Sequence, residues 1–111
     1  MKKTAALAAF GALAQETRLD VFRRLLRANP SAMPAGDQAK DLDIPASTLS
    51  THLAILSRAK LVTAERQGRT ILYAADTEGA KDLVTYLIND CCGGKPELCR
   101  PLLEAAMPRC C

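Results

Sequence analysis

The chain of 111 residues is short of several things, and each shortage excludes a class of protein. It has one histidine, no phosphate-cradling glycine loop and no nucleophile–base pairing, so it is not expected to be an enzyme. No apolar run approaches the length of a membrane span, so no membrane partner is expected. Large side chains are scarce: there is no tryptophan, and there are two phenylalanines and two tyrosines. Apolar residues reach 49%, but many are alanines, and one domain of this size sits near the limit at which a single core suffices. A second copy of the chain would help. The cysteines number five, an odd count that argues against a disulfide framework.

What is present is unevenly placed. Residues 1–45 carry a net +2, residues 46–75 carry +3 and residues 76–111 carry −2. The middle third is the basic one, and nucleic acid is the usual partner of such a stripe. The opening "MKKTAALAAFGALAQETRLD" has two lysines before an alanine-rich run. It is poor in large aliphatic residues and passes directly into a helix, so it reads as part of the domain and not as an export signal. A cytoplasmic chain is expected, with its thiols reduced.

Periodicity predicts helices over 3–13 (apolar contacts Leu7, Phe10, Leu13) and over 15–28. The second helix has Leu19, Phe22 and Leu26 on one face and Val21 and Leu25 on another, as if packed from both sides. "NPSAMPAG" then breaks the pattern, and helices follow near 36–42 and 46–59. The latter places Leu49, Leu53 and Leu56 in one sector. Ser47, Thr51, Ala54 and Arg58 lie opposite, flanked by Thr48 and Ser50. A helix whose outer side is small, polar and uncharged near its start can enter a groove and meet base edges and phosphates. "LVTAERQGRTILYAAD" reads as two strands turning at Gln67-Gly68-Arg69, tipped by Arg66 and Arg69. Residues 78–90 return to helix, with Leu83, Val84, Leu87 and Ile88 apolar. The glycine- and proline-rich remainder reads as a loop or short helical turn, and its Leu102, Leu103, Met107 stripe as a short helix packed against a dimer.

The succession "ALAQETRLDVFRRLL", "STLSTHLAILSRAKLV", "ERQGRTILYAAD" and a closing helix resembles the ArsR family of winged helix-turn-helix repressors over roughly residues 7–88. The resemblance implies a mainly α fold with a small β-hairpin, in the order α-α-α-α-β-β-α. It also implies a homodimer, bound to double-stranded operator DNA and joined through its first and last helices. Residues 1–90 would then be the DNA-binding and dimerisation domain, with Leu7, Phe10, Leu83 and Leu87 at the interface. Residues 91–111 would be an inducer-binding tail. Ser47, Thr48 and Thr51 are expected to face bases, with Ser50, Arg66 and Arg69 at or near phosphates and Arg58 beside them. His52, at the edge of the leucine face, is expected to be structural or to touch a phosphate. Two departures from the family pattern stand out. Gln15-Glu16 replaces an Asp-Pro pair and Pro45 replaces a serine cap, and a lost cap weakens a helix start by about 1 kcal/mol.

"NDCCGGKPELCR" holds Cys91, Cys92 and Cys99. Thiolates choose soft acceptors. Structural zinc asks for four ligands, commonly in two spaced pairs, which this cluster does not offer. Trivalent arsenic and antimony accept three sulfurs in a pyramid, and Gly93, Gly94 and Pro96 allow the loop to return Cys99 to the pair. "CCGGKPELC" also resembles the arsenite site of one branch of the family. The expected inducer is As(III) or Sb(III), with no cofactor required. Thiol redox sensing, or a thiol-rich ion carrier on the same scaffold, remain the alternatives. Cys110 and Cys111 read as a frayed terminus or as an auxiliary pair.

Overall fold

The structure, a computed structural model, describes residues 1–90 and 95–110. Six helices and a three-stranded antiparallel sheet follow in the order α1 Lys3–Leu13, α2 Glu16–Ala28, β1 Met33–Pro34, α3 Ala35–Leu42, α4 Ala46–Arg58, β2 Val62–Gln67, β3 Thr70–Ala75, α5 Thr77–Thr85 and α6 Pro96–Cys110. A single π-helical turn, Tyr86–Asp90, continues α5. The sheet order is β1-β3-β2, with Met33 opposite Tyr73 and Val62 opposite Ala75. The expected mainly helical fold with a β-hairpin is what forms.

The core is built around α2 and α4. Val21, Phe22 and Leu25 of α2 meet Leu49, Leu53 and Leu56 of α4, with Leu61, Val62, Ala75 and Leu83 closing the cluster. Burying each of the three α4 leucines contributes roughly 2 kcal/mol. The two-sided packing expected of α2 is not found. Val21 and Leu25 point inward beside Phe22, whereas Leu19 and Leu26 stay exposed. Helix α1 buries Ala6, Ala9 and Ala12 and leaves Leu7, one of the expected interface residues, 61% exposed. Alanines let α1 lie close to the core, and that turns its larger side chains outward.

Helices α3 and α4 end alike. In α3 the Asp43 N–H bonds to Lys40 O and the Ile44 N–H to Ala39 O; in α4 the Lys60 N–H bonds to Ser57 O and the Leu61 N–H to Leu56 O. These are Schellman closures, with Asp43 (φ 53°) and Lys60 (φ 65°) in the left-handed region. The second closure sets the seat of α5. Asp76 Oδ1 accepts from Gly79 N at 3.0 Å, and a Cβ on Gly79 would fall on the Lys60 carbonyl, so only glycine allows this approach.

At the start of α2 the structure corrects an expectation. Gln15 is the N-cap, and its Oε1 accepts from Arg18 N at 2.8 Å, so the glutamine side chain restores the cap. Pro45 heads α4 with no side-chain cap, as expected. The tail corrects another, since residues 96–110 form a 15-residue helix where a loop, a short helical turn or a short helix was expected. Pro96 stands at its first position, where a missing N–H costs nothing, and Glu, Leu, Arg and Ala carry the helix onward. No helix among the described residues is long and apolar enough to cross a membrane.

Candidate nucleic-acid interface and thiol tail

Helix α4 is fixed by its leucines, which are wholly buried, and this determines which residues face out. Ser47, Thr48, Ser50, Thr51, Ala54 and Arg58 are all exposed. With no side chain capping it, the first turn of α4 keeps its N–H groups for an outside acceptor, and the N-terminus of a helix favours anions. Two outer side chains are tied back to the helix. Thr51 Oγ1 donates to Ser47 O at 3.2 Å, and Arg58 Nε donates to Ala54 O at 3.4 Å. His52 is half-buried on the flank, with its Nδ1 3.4 Å from Arg18 Nη1 of α2.

The hairpin after α4 has a two-residue turn, Gly68-Arg69, one residue shorter than the sequence suggests because Gln67 pairs with Thr70 inside the ladder. Gly68 has φ 64°, the glycine-first arrangement that a type II′ turn requires. Arg66 and Arg69 are exposed at this end. Two cations therefore sit at the tip of a rigid arm adjoining α4. An arm of this kind has the charge and position to meet phosphates beside a groove.

The expected interface residues separate. Leu7, Phe10 and Leu87 are exposed on α1 and on the π-helical turn after α5, with Val84 exposed beside them. Leu83 is only 8% exposed and belongs to the protomer's own core, which leaves little of it for a partner.

Of the expected thiol ligands, Cys91 and Cys92 lie outside the described residues, as does Cys111. Cys110 is the last residue of α6. Cys99 is buried at the start of α6, and its Sγ donates to Ile88 O at 3.2 Å, joining the tail to the π-helical turn. Among the described residues no group of three His, Cys, Asp or Glu side chains is placed to hold a metal ion. Leu98, Leu102 and Leu103 of α6 are exposed.

Sequence reasoning passed over Arg18. Its Nε donates to Ala12 O at 2.7 Å while its Nη1 faces His52. An arginine three residues after a helix-capping side chain was the available signal, and periodicity alone does not weigh it.

A family model described as a helix-turn-helix domain matches residues 13–65. The transcriptional repressor SdpR of Bacillus subtilis (strain 168) is 30% identical over 80 residues, which are 72% of this chain and 86% of SdpR. Among solved structures, an ArsR-like transcriptional regulator from Rhodococcus sp. RHA1 superposes with a TM-score of 0.72 at 22% identity, covering 93% of each chain. A homodimeric winged helix-turn-helix DNA-binding domain from Mycobacterium bovis superposes with a TM-score of 0.64 at 21% identity, covering 77% of each chain.

Proposed function

Because the chain belongs to the ArsR family of winged helix-turn-helix transcriptional regulators, we propose that it is a cytoplasmic, homodimeric repressor released from operator DNA by trivalent arsenic or antimony. Each protomer inserts α4 into a major groove, with Ser47, Thr48 and Thr51 toward bases. Ser50, Arg66 and Arg69 lie toward phosphates. The twofold axis then demands half-sites about 34 Å apart. The exposed Leu7, Phe10 and Leu87 support pairing through α1 and the end of α5. The homodimeric state of the Mycobacterium bovis neighbour supports the same reading.

One observation carries the inducer reading: the Cys99 sulfur is lodged on the Ile88 carbonyl. Cys91, Cys92 and Cys99 together supply three soft donors. Arsenous acid condenses with three thiols, each S–H proton leaving with an arsenic hydroxyl as water, and no electron changes hands. A sulfur bonded to arsenic has no proton to donate, so ion binding and the Cys99–Ile88 hydrogen bond exclude one another. Binding therefore loosens α6 from the end of the helix that supports the dimer, and it alters the spacing of the two α4 helices. Coupling of this kind is commonly about 1–3 kcal/mol, roughly a 5–150-fold loss of affinity.

The test is mobility shift on the chain's own upstream DNA with arsenite, antimonite or peroxide. Release by arsenite, lost in Cys91→Ser, Cys92→Ser and Cys99→Ser but kept when Cys110 and Cys111 become serine, is expected. Release of the Cys99→Ser protein at unchanged arsenite would reduce the site to two sulfurs. Release by peroxide alone, reversed by a dithiol, would replace the ion by an oxidant.

A further inference from the structure

The geometry points to Arg18 as a positioning residue for operator recognition, one that ties α4 to the end of α1 through His52 and fixes which ring nitrogen of His52 carries hydrogen. This rests on the reading of α4 as the helix that enters DNA. Arg18 is held at three points. Its N–H is taken by the Gln15 cap at 2.8 Å, its Nε donates to Ala12 O at 2.7 Å, and its Nη1 lies 3.4 Å from His52 Nδ1. Ala12 is in the last turn of α1, where carbonyls have no N–H partner within the helix and a cation is favoured. One guanidinium thus occupies the end of the proposed dimer helix and the flank of the proposed reading helix together.

Chemistry sets the direction of the His52 contact. Arginine has only donors, so His52 Nδ1 must accept, and an imidazole that accepts at Nδ1 carries its hydrogen at Nε2. The second nitrogen of a histidine ring is governed in this way by the bond the first one makes. The ring edge away from Arg18 is therefore a donor, the polarity a DNA phosphate needs. A change in the position of α1 moves Arg18 and, with it, the ring.

A double-mutant cycle on operator affinity tests this. Arg18→Ala and His52→Leu should each weaken binding by about tenfold, the scale of one charge-assisted hydrogen bond. The double variant should be no weaker than either. His52→Gln, whose amide nitrogen keeps a donor near the Nε2 position and which has no atom at the Nδ1 position to accept from Arg18, should recover part of the loss in the Arg18→Ala background and be insensitive to Arg18. His52 is the chain's one histidine, so nitrogen-15 NMR reads its ring directly. A single Nε2–H form is expected in the parent and a mixture in Arg18→Ala. Should Arg18→Ala lose its fold, Arg18→Lys, with equal charge and no forked donor, gives the same comparison. Additive losses in the cycle, or unchanged operator affinity with lowered thermal stability, would reduce Arg18 to a purely structural role. Loss of sequence preference in Thr51→Ala, together with an indifferent Arg18, would overturn this inference and leave α4 as the reading helix. Indifference of both Thr51 and Arg18 would overturn the reading of α4 itself.

Discussion

Helices α1 and α4 each hide one side and show the other, and they do so with opposite materials. Helix α4 hides leucines and shows serine, threonine and alanine, whereas α1 hides Ala6, Ala9 and Ala12 and shows Leu7 and Phe10. The first arrangement is complete in a single chain, since its apolar area is removed from water and its polar side is solvated. The second is not, because the larger apolar side chains of α1 remain in water. Two helices of nearly equal length therefore do different work. One is held rigidly and offers a polar surface for a charged groove, while the other offers an apolar surface suited to a second copy.

The contrast can be broken from the inside of α4 first. Leu53→Ala should cost about 3 kcal/mol through lost burial and a residual cavity, lowering the melting temperature by roughly 15 °C. Calorimetry measures this directly. Next comes the outside of α1. Phe10→Glu should keep the helical circular dichroism yet dissociate the dimer, with a loss of at least about 2 kcal/mol expected for an anchor near an interface centre. Sedimentation should then show monomers that no longer bind operator. A folded Phe10→Glu dimer with normal affinity would place the interface elsewhere. The inside of α1 follows: Ala9→Leu overpacks a wholly buried position and should destabilise by about 2 kcal/mol, read as a shifted denaturation midpoint. The smallest effect belongs to the arm beside α4. Arg69→Ala should leave stability unchanged, weaken all DNA alike and lower the salt slope of binding by roughly one unit. An unchanged slope would remove Arg69 from the interface.

How legible each of these was follows from side-chain size. Leu49, Leu53 and Leu56 announce the inner face of α4 because each is large and they recur at helical spacing, and the hairpin is announced by Gly68 between β-branched arms. Alanine carries almost no such signal, so the face that α1 buries went unidentified while its exposed residues were noticed. In α2, Leu19 and Leu26 look as buriable as Val21 and Leu25, and only the positions of α1 and α4 decide between them. Prolines misled the reading of the tail: Pro96 suits the first position of α6, but Pro101 and Pro108 lie within a helix that a rule of breakers would forbid. The two-residue strand β1 is too short to show any period. Among the site residues, those on the outer side of α4 follow from the leucines by elimination. The Arg18–His52 contact spans 34 positions, and no local pattern could show it.

The Thr51 hydroxyl spends its one hydrogen on the Ser47 carbonyl. On the proposed reading of α4 it would meet the operator as an acceptor with a methyl group beside it, not as a donor. In the major groove the amino groups of cytosine and adenine offer hydrogen, the exocyclic oxygens of guanine and thymine do not, and the thymine methyl welcomes an apolar neighbour. A residue that looks neutral in a list of polar side chains thus acquires a preference from its own helix. Cytosine, adenine or a thymine methyl would suit it there, and a guanine edge would not. Replacing it by valine, which keeps the shape and drops the acceptor, should erase the amino-group preference and spare the methyl contact.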